Sequence, residues 1–383
     1  MPRTLIILQG GMVLGRNFGV VATVVDSDKV TGIEKYVLEF LKNTPESVRS
    51  SVTVLAHPGG RDLVLPVCAG MRVLFSPFKN RILTDQLWTP LVLLRLDMDF
   101  IYNMTLSYPV LGYGSIPHSI IVHDATPWRF PETVSRGMKL YYRPQLNRAL
   151  RSRTLRFVAT VSKSSKQDIQ KYKGITDSRI HVFPLAVDPS LFYPRETRTH
   201  LNSLSDAYES RFILAVGTLE PRKNLQRLIE AFSILIEENM EYKLVIVGRK
   251  GWMDSLSIPE NCREAIVFTG FVSNEELVEL YSFAHLFVMP SLYEGFGIPL
   301  LEAMSCGVPV LAAATSSLPE VGGDACLYAD PLSVTDMARK MSQLLTDETL
   351  CRAFRAKGLK RVEEFDWKRS VQKTWDKIVQ EVV

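Results

Sequence analysis

The chain has no apolar run approaching the roughly 20 residues that a bilayer-spanning helix needs. The run nearest its start, Leu5 to Leu8, is broken by Gln9 and two glycines, too short for the apolar centre of a secretion signal. Cysteine is sparse. Cys68, Cys262, Cys306, Cys326 and Cys351 have no metal-type spacing, and an odd, scattered set reads as reduced thiols in a cytoplasmic setting. There is no internal repeat and no low-complexity tract. A strong charge excess is also missing: a net charge of +4 is too mild to argue for nucleic acid.

One absence is local. Between Thr133 and Gln167 there is no acidic residue, while nine Lys and Arg side chains run from Arg136 to Lys166 with Tyr141, Tyr142, Leu146 and Leu150 among them. Up to about Arg151 this reads as a basic amphipathic helix. Peripheral contact with an anionic membrane through residues 136–156 is one expectation, and a solvated helix face is the other.

What is present is an ordinary globular composition, 46% hydrophobic and 22% charged over 383 residues, long enough for two domains with sizeable cores. Short apolar runs alternate with helical patterns. Thr4 to Leu8, Ser51 to Ala56, Met71 to Phe75, Phe100 to Asn103, Ser119 to Asp124 and Phe157 to Val161 read as buried strands, and Val20 to Val25 as a further strand without a clear place. Thr31 with Glu34 forms a capping box that opens a helix, and Asp85 to Leu96 reads as helical. A polar stretch from Arg195 to Arg211 reads as the linker. The second half repeats strand and helix, with strands at Phe212 to Val216, Tyr242 to Val247 and Ala265 to Phe268, and an amphipathic last helix from Trp367.

Chemistry concentrates at Ser291 to Val310. An apolar strand, Leu286 to Met289, ends at Pro290; a turn with Gly295 and Gly297 follows; Pro299 opens a helix that stops at Gly307. A helix start after glycines offers backbone N–H groups and the positive end of a dipole to an anion. Glu294 before the helix and Glu302 one turn inside it suit hydroxyl groups rather than phosphate. A ligand carrying both phosphate and sugar fits the pair; an ordinary crossover with two surface glutamates is the plain alternative. Gly217-Thr-Leu-Glu-Pro-Arg-Lys-Asn224 follows another strand, and adjacent Arg222 and Lys223 at a helix start oppose the dipole unless an anion sits there.

The Tyr-Glu-Gly-Phe-Gly-Ile-Pro…Glu pattern at 293–302 resembles the signature of GT-B retaining glycosyltransferases of family 4. Gly217 to Asn224 resembles a subgroup of it rich in mannosyltransferases. The likeness is strongest from Phe212 to Pro331 and weaker over residues 31 to 183. It implies an α/β GT-B fold, with an acceptor-side Rossmann-like domain over 1–195, a nucleotide-sugar domain over 205–366, a cleft between them, and a terminal helix 367–383 packed back on the first. It implies that Glu294 meets the transferred sugar and that the amides of Gly295, Phe296, Gly297 and Ile298 meet sugar and diphosphate. Glu302 would hold the ribose, Arg222 and Lys223 the diphosphate, and the turn at Val272 the base.

Gly32 would face the donor phosphate, His123 at a strand's carboxyl end would shape the sugar site, and Gly217, Thr218, Gly248 and Arg249 would line the donor. Many members carry Arg where this chain has Thr218, so Arg222 is expected to supply the guanidinium. The implied activity is hexosyl transfer with retention, most readily mannose from GDP-mannose, to a saccharide or lipid-linked acceptor, with no cofactor and no metal. The enzyme would work in the cytoplasm or at the inner face of the membrane, and neither its oligomeric state nor its acceptor is legible. A UDP-sugar donor is the alternative, and a non-catalytic sugar-nucleotide binder the third reading. Asp26-Ser-Asp28 and Asp97-Met-Asp99 have the Asp-x-Asp form that metal-dependent enzymes of another fold use, but both lie far in sequence from the donor motif.

Overall fold

A computed structural model of the chain describes residues 15–27, 30, 32–199, 210–249, 251 and 256–382. The strand expected at Thr4 to Leu8 and the Thr31 cap lie outside them. The described chain forms two compact units.

The first unit comprises residues 1–161, 165–185 and 367–383. Its sheet is parallel throughout. β1 is Phe18–Val21, β2 Val52–Ala56, β3 Arg72–Phe75, β4 Phe100–Asn103, β5 His118–Ile121, β6 Leu155–Thr160 and β7 Ile180–Val182. The order is β3-β2-β1-β4-β5-β6-β7. The strand read at Val20 to Val25 is thus Phe18–Val21, and it lies inside the sheet between β2 and β4. The central strands β1, β2, β4 and β5 are buried along their whole length because both faces are covered, so they lack the exposed-buried alternation that marks a half-exposed strand.

The Gly32–Lys42 helix buries Tyr36, Val37, Phe40 and Leu41, one stripe at helical spacing. The Trp367–Gln380 helix buries Trp367, Val371, Trp375 and Ile378 on one face. Trp375 meets Phe18 edge-on at 5.5 Å, and its indole N–H donates to Thr44 Oγ1 at 3.3 Å. The last helix of the chain therefore belongs to the first unit.

Two helical segments contain a wider turn, and each has the same cause. Pro90 and Pro144 carry no N–H, so the carbonyls of Gln86 and Leu140 lose their i+4 donors. In both places the preceding residue donates five residues back, Thr89 to Thr84 and Arg143 to Met138, giving π turns at Thr84–Trp88 and Met138–Tyr142. The basic stretch is thus a π turn followed by the Arg143–Leu150 helix. That helix turns Gln145, Leu146, Ala149 and Leu150 inward.

The second unit comprises residues 162–164 and 186–366. The chain changes units at Leu185, ahead of the polar stretch read as the linker. Residues 195 and 199 are tied to the Asn274–Phe283 helix through Ser282 and Glu279. β8 is Phe212–Val216, β9 Lys243–Val247, β10 Ile266–Gly270, β11 Leu286–Met289, β12 Val310–Ala313 and β13 Leu327–Ala329. These are parallel in the order β10-β9-β8-β11-β12-β13. The core between sheet and helices includes Leu228, Ile229 and Phe232 facing Met337 and Met341. After β10 the chain returns to the other side of β8. That reversal falls between β8 and β11, and open sheets of this kind take ligands at the carboxyl ends of the strands at such a point.

Candidate active site

At the carboxyl end of β8 the chain makes a short turn, Pro221–Lys223, and then passes through Asn224 at φ 58°. Asparagine tolerates this left-handed backbone better than most residues. Its side-chain amide donates to Pro290 O at 3.0 Å and Pro331 O at 2.7 Å, fastening the β8 loop to the loops after β11 and β13. Leu292 N donates to Arg222 O at 2.9 Å as a further tie. Arg222 and Lys223 are thereby aimed at the loop after β11.

There they meet Glu294. Lys223 Nζ lies 2.7 Å from Glu294 Oε1, and Arg222 Nη1 lies 2.7 Å from Oε2. Arg222 also donates to Tyr293 O at 2.5 Å and pairs with Glu220 through its other nitrogen. Glu294 is only 7% exposed. Burial alone would push its carboxyl up; Arg222 and Lys223 outweigh it and bring the pKa down to about 2. The carboxylate is therefore ionised at neutral pH. Two cations and two carboxylates balance, and a diphosphate arriving here would compete with Glu294 for both cations.

The loop itself is pinned from behind. Glu294 N donates to Ser316 Oγ at 2.9 Å, and the Ser317 hydroxyl reaches both Glu294 O and Phe296 O at 3.0 Å, holding Gly295 between two fixed carbonyls. The Phe296 ring is buried edge-on against Phe365 at 5.7 Å, so this residue faces the core with its side chain and offers only backbone to a ligand. Gly297 sits at φ 98°, and a Cβ there would lie 2.8 Å from Leu318 Cδ2. Only glycine fits. The Ile298–Ser305 helix that follows has no side-chain cap on its first turn. Glu302 is buried inside that helix and accepts a hydrogen bond from Tyr281 OH at 3.1 Å.

Gly217 and Gly248 end neighbouring strands and pack backbone to backbone. A Cβ on Gly248 would lie 1.9 Å from Gly217 O. Thr218 is half-buried, its methyl toward Gly251, and Arg249 is exposed. Val272 lies past the end of edge strand β10, two strands from β8.

In the first unit His123 follows β5. Its ring meets Tyr36 edge-on at 5.0 Å, and Tyr36 stands one turn into the helix that Gly32 opens. His123 Nε2 is buried with no hydrogen-bond partner among the described residues. Burial brings the imidazole pKa down to about 4 against a smaller upward pull from Asp124, so the ring is neutral at physiological pH. Gly32 has nothing within 4 Å of its Cβ position, and nothing in the fold demands glycine there. Asp99 accepts from Arg16 and from Asn17 N, each at 2.8 Å. That pairing gives the second Asp-x-Asp a structural use; Asp28 lies outside the described residues.

The structure thus joins Arg222, Lys223 and Glu294 in one cluster, stacks Gly217 on Gly248, and sets Glu302 on Tyr281. Glu220, Asn224, Tyr281, Ser316 and Ser317 hold this arrangement and carried no role in the sequence reading. Glu220 and Asn224 stood inside a motif already singled out; nothing in the pattern pointed to the others.

Two family descriptions match the chain: "Glycosyltransferase Family 4" over residues 30–191 and "Glycosyl transferases group 1" over residues 198–361. Among relatives, O-antigen chain mannosyltransferase B of Escherichia coli is 36% identical over 259 residues, 66% of this chain and 67% of that one. Serotype-specific mannosyltransferase WbdA of Escherichia coli is 36% identical over 219 residues, which span 55% of this chain and only 27% of that much longer relative. Among solved structures, Anabaena Alr3699/HepE in complex with UDP and glucose superposes with a TM-score of 0.72 at 18% identity, covering 95% of this chain and 99% of the other. Sucrose-phosphate synthase of Thermosynechococcus elongatus gives 0.71 at 17% identity, covering 95% and 98%. At such identities the likeness speaks for the fold.

Proposed function

The chain belongs to the GT-B glycosyltransferases of family 4, and we propose that it transfers mannose from GDP-mannose, with retention, to a saccharide or lipid-linked oligosaccharide in polysaccharide synthesis. The observation that carries this reading is the Arg222–Glu294–Lys223 cluster at the reversal point between β8 and β11. On this reading the donor diphosphate draws Arg222 and Lys223 to itself, and Glu294, released from them, accepts hydrogen bonds from the sugar hydroxyls. As the bond to the anomeric carbon lengthens, negative charge grows on the leaving phosphate. The two side-chain cations and the uncapped start of the Ile298–Ser305 helix stabilise that charge where it develops. Glu302 accepts from the ribose hydroxyls, and the strand-end glycines Gly217 and Gly248 let the donor approach backbone directly.

Retention by a front-face route, in which the leaving phosphate takes the acceptor's proton, requires no covalent nucleophile from the chain. Neither a metal nor an organic cofactor has an assigned task in this scheme. Support for mannose comes from the two mannosyltransferase relatives. A UDP-sugar is the second reading, favoured by the fold's likeness to a protein solved with UDP and glucose. No described helix is long and apolar enough to cross a membrane, and work on a lipid-linked acceptor would place the protein at the inner face of a membrane.

The deciding experiment is calorimetric titration with GDP, UDP and ADP, with and without EDTA, followed by turnover with a supplied acceptor. Preference for GDP that EDTA leaves unchanged supports the proposal. Preference for UDP moves the donor to the second reading. Binding without any turnover across a panel of acceptors would favour a sugar-nucleotide binder.

A further inference from the structure

The helical segment 81–95 turns one face inward and one outward. Thr84, Asp85, Thr89 and Leu93 are buried. Leu83, Leu87, Leu91 and Leu94 are exposed, 63% in the case of Leu94. Their spacing puts them on one stripe. A helix with leucine on its outer face is the reverse of the usual pattern, and several large apolar side chains exposed on one stripe mark a contact surface.

Two further segments extend the patch. Gln86 accepts from Val110 N at 2.9 Å and donates to Gln145 Oε1 at 3.0 Å, so the loop after β4 and the Arg143–Leu150 helix flank the stripe. A Cβ on Gly114 would lie 3.6 Å from Leu94 Cδ2, on the same side. That loop exposes Val110 and Leu111, the latter at 77%. Arg81 lies over the Tyr142 ring at 5.7 Å, beside Leu140, which is 79% exposed. The two π turns lie in this region, so the prolines that cause them also set how these side chains are presented.

The rim decides the occupant. Residues 79–96, 107–116 and 134–151 carry eight Lys and Arg side chains and a single acid, Asp85, which is buried on Thr23. A second copy of the chain would bring two cationic rims together, which disfavours pairing. An anionic bilayer answers both features at once, taking leucines into its apolar boundary and cations at its head groups. We propose that this face of the first unit docks on anionic lipid, with segment 81–95 lying in the interface as the inserted element. At about 1.5 Å per residue the segment would cover about 22 Å of surface. The proposal deepens the peripheral placement given above and moves the apolar contact from residues 136–156 to 81–95 and 110–111, leaving 136–151 as the cationic flank. It rests on none of the donor chemistry.

The test uses the full chain and phosphatidylcholine vesicles with and without phosphatidylglycerol. Wild type is expected to co-sediment with the anionic vesicles and to be released by high salt. The Leu91→Ser/Leu94→Ser pair is expected to weaken binding at least tenfold, and the Arg136→Gln/Lys139→Gln/Arg143→Gln set to remove the preference for phosphatidylglycerol. All these side chains are at least partly exposed, and unchanged thermal unfolding checks that the variants fold. In a Leu94→Trp variant, lipids brominated along the chain should quench the added fluorescence. Failure of wild type to bind, binding that survives the serine pair, or an unquenched tryptophan overturns the proposal. So does light scattering that finds a lipid-free dimer dissociated by the same serines, since a second copy would then cover the face. Vesicle binding is read without turnover, so an error in the donor assignment would not alter these results.

Discussion

Glu294 carries two demands. As the structure stands it neutralises Arg222 and Lys223; in the proposed reaction it must let them go. The cations at this helix start need an anion, and the fold supplies one from 71 residues further along the chain. Removing Lys223 should therefore act on the reaction more than on the fold. Lys223→Ala is expected to lower turnover by about two to three orders of magnitude, the usual effect of deleting one stabilising group at a developing charge, with Arg222 still holding Glu294. Steady-state kinetics with the preferred donor checks this, and near-normal kcat would sink the phosphate role. A second prediction concerns acid. The Glu294 pKa is depressed in the folded chain from 4.5 to about 2, so its contribution to stability is fully present above pH 4.5 and is lost as pH falls toward 2. The shift corresponds to a contribution on the order of 3 kcal/mol. The Tm gap between wild type and Glu294→Gln should be flat above pH 5 and narrow below 4.5; a gap that stays constant down to pH 2.5 would mean that the carboxylate's charge does not stabilise the fold.

At the scale of strands and helices, the second unit was the more readable half. Its strands are apolar runs closed by Pro290, Gly217 and Gly248, and its helices open at Pro299 or at the Ser273–Glu276 capping box, so punctuation and pattern agree. The first unit hid a strand. β1 has only four residues, and the apolar run goes on past it through Val24 and Val25, so the pattern alone gave neither its ends nor its place between β2 and β4. The site was half legible. Glu294, Glu302, Arg222 and Lys223 stood out as types at a spacing, whereas the grip of Asn224 on Pro290 and Pro331 and the serines behind Gly295 are long-range contacts that no local pattern encodes.

The glycines give a sharp contrast to test. Gly248→Ala puts a methyl group 1.9 Å from the Gly217 carbonyl, so the two strand ends must separate. A loss of stability of roughly 1–3 kcal/mol or more is expected, with nucleotide affinity falling alongside it. Gly32→Ala meets open space at the first position of a helix, and its Tm should stay level or rise slightly. A fall in turnover for Gly32→Ala at unchanged Tm would assign that glycine to the donor; unchanged turnover would leave it as a helix start only.

At the scale of the whole molecule the chain crosses from the first unit to the second and comes back. The amphipathic pattern of the last helix announced a buried face, with Val371, Trp375 and Ile378 in line, but could not say which unit would bury it; only the family resemblance supplied that. The contacts settle it. Trp375 is 1% exposed between Phe18 and Phe40, and Trp367 lies against Tyr36 with 6.1 Å between ring centroids. Ser370 Oγ donates to Pro184 O at 2.6 Å, closing the helix onto the last residues of the unit before the chain leaves it. A side chain of this size, buried among aromatic rings and central strands, stabilises by its area and leaves a cavity when cut back. Trp375→Ala is expected to cost about 3–5 kcal/mol. Since the cost falls on the packing of β1 and the Gly32–Lys42 helix, amide exchange should quicken most in peptides covering 18–21 and 32–44, where Phe18, Phe40 and Thr44 lose their partner. Trp375→Phe, which keeps one aromatic ring and loses the second ring together with the hydrogen bond to Thr44, should recover part of the protection. Equal damage from both variants would mean that what Phe lacks, the second indole ring and the hydrogen bond to Thr44, fastens the returning helix.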